Sequence, residues 1–130
     1  MVKTVKNWID SAEYDLATAQ SLLKAKRKVY VVFMCHLAIE KMLKGVFCAK
    51  YKKLAPYTHN LIYLVNLARL KIPSHILEFI ETINDKSVPT RYPENIKEIE
   101  RKFSLKLAQD HLSKTRGFFI WLKRNTSYLK

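Results

Sequence analysis

His36, Glu40 and Lys44 lie four residues apart within a largely apolar run from Val29 to Phe47. On an α-helix that spacing stacks an imidazole, a carboxylate and an ammonium on one face. Such a set could move protons or hold a phosphate. Apolar residues fill most of the other directions, which marks a helix surrounded by protein. A charged pair on a buried helix needs partners, since leaving it unmatched costs several kcal/mol by order of magnitude. Glu40 and Lys44 also suit an i,i+4 salt bridge with the acid on the favourable N-terminal side. The two readings are a structural tie and a ligand site in which Lys44 meets phosphate while Glu40 orients a neighbouring cation.

Other residues can join them. Arg91-Tyr92 offers a bidentate phosphate donor beside a ring able to stack on a base, with Pro93 fixing the loop. The alternative is that Arg91 ties its loop to Glu40 or Asp15. His59 follows Thr58, a helix-capping type, at a helix start that can receive an anion. Asp15 is expected to pair across the helices with Lys44 or Arg91. For catalysis, His36 is set against the role of a satisfied core histidine. His111 reads as core. No Cys-x-x-Cys or His-Glu-x-x-His spacing occurs, so no metal site is expected. Gly45 and Gly117 are the only glycines, which leaves no phosphate-cradling loop, and no serine-nucleophile motif appears. No cofactor is expected.

These residues must be carried by few, long elements. In 130 residues there are two glycines and four prolines, too little turn chemistry for an all-β fold. Val5, Trp8, Ile9, Ala12, Leu16, Ala19 and Leu23 predict a helix over about 3–25. A second spans about 29–50. A third, capped by Thr58, covers about 59–70, and a fourth, capped by Ser74 after Pro73, about 74–85. Residues 86–97 read as the longest irregular stretch, and 98–125 as one last helix. The expected architecture is an all-α antiparallel up-and-down bundle of four to five helices, a single domain over 1–130.

The net charge is +13. Residues 101–130 hold eight Lys/Arg against one acid, and residues 41–53 hold five against none. This asymmetry points to an acidic partner, nucleotide or nucleic acid, or to a merely solubilising surface. The two basic loops at either end of the second helix lie on the order of 30 Å apart by helix rise, so they form no single compact patch. Cys35 and Cys48 are roughly 20 Å apart along that helix, too far for a disulfide, and read as thiols of a reducing compartment. The opening residues run straight into an amphipathic pattern without a secretory signal, and no run reaches the length of a membrane span. The expectation is a cytoplasmic protein with no membrane contact.

Four segments then carry a resemblance. They are Trp8 to Ala19, Cys35 to Gly45, Thr58-His59-Asn60-Leu61, and Thr90-Arg91-Tyr92-Pro93. The chain resembles the HEPN domain family over nearly its whole length. The family's Ala-x-Glu-Lys-x-x-Lys helix matches Ala38, Glu40, Lys41 and Lys44. Its Thr-His-x-Leu turn matches Thr58, His59 and Leu61, and its Arg-Tyr-Pro loop Arg91 to Pro93. The resemblance implies a helical bundle that dimerises, a nucleotide or RNA ligand near Arg91, Tyr92, Lys44, Glu40 and His59, and pairing with a minimal nucleotidyltransferase in a toxin–antitoxin-like module. Other members are ribonucleases with an Arg followed four to six residues later by a His. No His follows Arg91 at that spacing. Arg69 and His75 have it, but Pro73 lies between them. The alternatives are therefore a metal-independent endoribonuclease and a protein-binding partner without a ligand of its own.

Overall fold

The computed structural model describes residues 3–91 and 93–129. Seven α-helices follow in order: α1 (Lys3–Lys24), α2 (Lys28–Tyr51), α3 (Leu61–Ala68), α4 (Ser74–Lys86), α5 (Val88–Arg91), α6 (Ile96–Lys102) and α7 (Leu105–Asn125). A short 3-10 turn, Ser127–Leu129, follows α7. Among the described residues there is no strand, and no helix is long and apolar enough to cross a membrane.

The organising element is α2. It touches all six other helices, and its buried residues, among them Val32, Cys35, Ile39, Met42, Leu43 and Val46, point in every direction. That is why its sequence is apolar nearly all round. α1 packs back along α2 after a short connection, as an antiparallel hairpin. Gly45 permits the contact: a Cβ there would lie 2.7 Å from Ile9 Cδ1 and 3.2 Å from Trp8 Cβ. α7 covers α2 and α1 with Ala108, Leu112, Phe118, Phe119 and Leu122.

Four local expectations change. Ser74 does not cap the fourth helix: it is the first residue of α4, and Pro73 holds the N-cap position with no side-chain capping bond. The third helix is capped by Asn60 in place of Thr58. The Asn60 side chain accepts from the Tyr63 N–H, while the Thr58 hydroxyl accepts from the Asn60 N–H in the preceding turn. The stretch 86–97 contains α5, with Pro89 in its first turn where its missing N–H is harmless. The last helix is two. Phe103 turns extended and buries its ring, and the Ser104 hydroxyl caps α7 by accepting from Leu107 N–H at 3.0 Å. The all-α bundle stands, with more helices than periodicity suggests.

The N-terminus of α2 has a remote cap. Arg27, at its N-cap position, makes no side-chain capping bond. Glu100 from α6 instead accepts the Lys28 and Val29 N–H groups at 2.9 and 3.0 Å. A carboxylate there satisfies two orphan donors and complements the helix dipole.

Candidate functional site: a carboxylate ringed by bases

The polar stripe of α2 meets α5 and the α2–α3 loop at one carboxylate. Glu40 Oε2 accepts from Lys44 Nζ at 3.2 Å. Glu40 Oε1 is 2.9 Å from His59 Nδ1 and 3.5 Å from Arg91 Nη2. His36 Nδ1 is 4.0 Å from the same oxygen. The four-residue spacing on α2 supplies three of these groups. The loop ending at the Asn60 cap delivers His59, and the short helix α5 delivers Arg91.

Neighbouring side chains hold them. The Arg91 guanidinium lies over the Phe33 ring at 5.5 Å, and Lys44 Nζ over the Trp8 ring at 5.6 Å, both cation–π distances. Asn84 of α4 accepts the first N–H of α3 from Leu61 at 2.9 Å and sits beside the His36 ring, where its side chain favours the charged imidazole. One side chain therefore links α3 and α4 beside the imidazole.

His36 is 1% exposed. Its Nδ1 receives a hydrogen bond from Arg91 Nη2 at 2.7 Å. A guanidinium has no acceptor, so Nδ1 must present its lone pair and the ring proton must sit on Nε2. Burial, reinforced by Arg91, pushes the His36 pKa down to about 4 against the opposing pull of Glu40. His36 is thus a neutral acceptor that positions Arg91 from below, closed off from solvent.

His59 is different. An ionised carboxylate only accepts, so Nδ1–H of His59 donates to Glu40 and Nε2 is the outer nitrogen. The side chain is 52% exposed. Arg91, at 16%, reaches the surface beside it, whereas Lys44, at 7%, lies beneath and is engaged with Glu40. Arg91 uses Nη2 for both of its contacts, which leaves the rest of its donor fork without a hydrogen bond among the described residues.

One carboxylate therefore faces two permanent cations as well as two imidazoles. The cluster keeps a net positive charge with both imidazoles counted as neutral. An anion is what such a surplus attracts, and Arg91 presents the geometry for a phosphate oxygen pair.

Glu40, Lys44, His59, Arg91 and His36 are thus brought together. Tyr92 lies outside the described residues. Arg69 and His75 are not joined: Arg69 caps α3 in a left-handed conformation and lines a separate groove, while His75 is exposed on the first turn of α4. Asp15 pairs with neither Lys44 nor Arg91. Its partner is Lys41, at 2.8 Å, which also donates to the Ser11 hydroxyl. Asp15 and Lys41 lie on the face where α1 and α2 meet, whereas Arg91 approaches α2 from the α5 side. His111 is core, donating from Nδ1 to the Leu107 carbonyl and packing edge-on against Phe79. Cys35 and Cys48 are buried and unbridged, and burial pushes the Cys35 thiol up to about 12, so it is no nucleophile. Among the described residues no group of His, Cys, Asp and Glu is arranged to hold a metal ion. Sequence reasoning missed Phe33, Asn84 and Lys41 as supports. Nothing in the spacing marks Phe33 or Asn84, and Lys41 stands in the family motif without its partner being legible, because each acts across elements.

An all-helical domain wrapped around a central helix has known counterparts. The HEPN domain profile matches residues 5–125, and the chain belongs to the HEPN domain family. It is similar in fold to the Thermus thermophilus protein TT1696, at 21% identity over 96% of this chain and 100% of that one, with a TM-score of 0.79. It is likewise similar to ST0689, described as an archaeal HEPN homologue, at 21% identity over 94% of this chain and 97% of that one, with a TM-score of 0.76. No curated protein matches the chain.

Proposed function

We propose that this HEPN domain binds a phosphate-bearing ligand, a nucleotide or RNA, at the Glu40 cluster. The observation that carries the reading is the charge surplus: Arg91 and Lys44 against Glu40, with Arg91 at the surface and donors to spare. Arg91 and His59 would contact the ligand, with Glu40, Lys44 and His36 holding them in place. The family membership and the basic sequence support the remainder of the reading. The domain would act as a homodimer in the cytoplasm, paired with a minimal nucleotidyltransferase in a toxin–antitoxin-like module. Titration with labelled nucleotides and short RNAs tests the site. Arg91→Ala should weaken binding about tenfold or more, the scale of one charge-assisted phosphate contact, without changing the circular dichroism. Equal affinity in the variant would remove Arg91 from the site.

One observation favours a catalytic second reading. The Glu40–His59 pair orients an exposed imidazole with its outer nitrogen free to accept a proton, beside Arg91. His59 Nε2 would take the proton of a ribose 2′-hydroxyl as it attacks the neighbouring phosphate; the bond to the 5′-oxygen breaks, leaving a 2′,3′-cyclic phosphate, and the imidazolium returns the proton to the departing 5′-oxygen, a sequence that needs no metal. RNA cleavage in excess chelator, lost in His59→Ala, would establish it. Intact RNA after prolonged incubation with dimeric protein would exclude it.

A further inference from the structure

A groove lies at the C-terminal end of α2. Its walls include Phe47 and Tyr51 of α2, Lys53 just past it, Tyr63 of α3 and Arg69, and it measures about 440 Å³. That volume is on the scale of small-ligand pockets and suits one nucleotide unit. None of these residues belongs to the Glu40 cluster.

Three features give the groove a chemical identity. The first is charge. Residues 41–77 contain seven Lys/Arg and no acid, and Lys53 and Arg69 are the two that enter the groove. The second is aromatic surface. Phe47 and Tyr51 pack at 5.1 Å between ring centroids, and Tyr63 is 48% exposed. The Tyr51 hydroxyl is buried with no hydrogen-bond partner among the described residues. The third is backbone. Arg69 and the neighbouring Lys52 are the left-handed C-caps of α3 and α2, with φ of 53° and 55°, positions that favour glycine. Cations at helix C-termini complement the dipoles. Dipole compensation does not call for three rings between them. Cations that track phosphates and rings that receive bases are the two components of a single-strand binding surface.

We propose that this groove binds one phosphate-and-base unit of a single-stranded nucleic acid. The loop from Lys53 to His59 places it near the Glu40 cluster. Six residue steps span at most about 20 Å, and the loop carries Tyr57, 97% exposed and tilted against His59 at 6.1 Å. A strand of several nucleotides can touch both ends of that loop, and a mononucleotide only one. The groove assignment rests on its own residues; the continuous path rests also on the Glu40 reading.

The test is fluorescence anisotropy with a labelled eight-nucleotide oligouridylate, with inorganic polyphosphate as a probe of charge alone. Lys53→Gln with Arg69→Gln should weaken RNA binding about tenfold or more. It should also reduce the slope of log affinity against log salt by about 1.4, two contacts on a single strand. Tyr63→Ala should weaken RNA binding about fivefold or more, the lower end for loss of one stacked base, and leave polyphosphate binding unchanged. Wild-type RNA affinity in both variants overturns the groove, whatever Arg91→Ala does. So does weakening by the charge variant with no effect of Tyr63→Ala, which leaves only a diffuse basic surface. Failure of Arg91→Ala to change binding while the groove variants do removes the Glu40 site and leaves the groove. Absence of any RNA binding by the wild-type protein overturns the proposal, and retained binding of free nucleotide would then still support the Glu40 site.

Discussion

Acid should lower the stability of the fold through His36 before it titrates the bulk of the carboxylates. His36 accepts a hydrogen bond from Arg91 at 2.7 Å, and protonation would replace that lone pair with a second positive charge. The groups around the ring are Arg91, Glu40, Asn84 and His59, and burial with Arg91 outweighs Glu40, so the pKa falls from 6.5 to about 4. A depressed histidine is neutral in the fold while the unfolded chain takes up a proton. Stability from this group is therefore complete above about pH 6.5 and is lost as pH falls through the window down to about 4. At 1.36 kcal/mol per unit, the loss is about 1.4 kcal/mol by pH 5.5 and roughly 2.5 kcal/mol by pH 4.5, levelling at about 3.4 kcal/mol. Urea unfolding of the wild type and of His36→Asn, whose amide oxygen can still accept from Arg91, isolates it. The stability gap between the two should shrink by about 2 kcal/mol between pH 7 and pH 4.5. His111, whose pKa burial also lowers, is common to both proteins and cancels in the difference. Parallel stability curves over that window would falsify the assignment of His36 as the neutral acceptor behind Arg91.

Glu100→Ala should destabilise the protein by about 1–3 kcal/mol in urea unfolding, because two N–H groups of α2 lose a charged acceptor; no loss would show that water caps α2 equally well. Gly45→Ala should cost about 1–3 kcal/mol by forcing Ile9 Cδ1 from its site. Adding Ile9→Val, which removes that carbon, should recover part of the loss, and a purely additive double variant would contradict the close-contact account. Lys41→Met should destabilise more than Asp15→Asn does, since it strands a buried carboxylate; the reverse order in chemical denaturation would show that Asp15 draws its compensation elsewhere.

Much of the architecture is legible in the chain. The 3.6-residue periodicity of α1 and the largely apolar character of α2 identify two long helices, one half-covered and one surrounded, because burial acts on each residue where it stands. The scarcity of glycine and proline excludes an all-β fold for the same local reason. Periodicity could not see the break at Phe103-Ser104, where one ring turning into the core outweighs a run of good helix formers. Capping preference likewise favoured Thr58, where the neighbouring Asn60 is tied in place by Asn84 of α4, 24 residues away.

The candidate site divides along the same line. That Glu40, Lys44 and His36 share a face follows from helix geometry alone. That Arg91 and His59 converge on Glu40 and that His36 is neutral behind Arg91 are decided by the packing of α5 and the α2–α3 loop on α2, and that Asp15 is taken by Lys41 by the packing of α1 on α2. The sequence carries the residues and the local spacing. Only the tertiary structure selects each charge's partner, because an ion pair depends on distance and desolvation, and neither exists until the helices have come together.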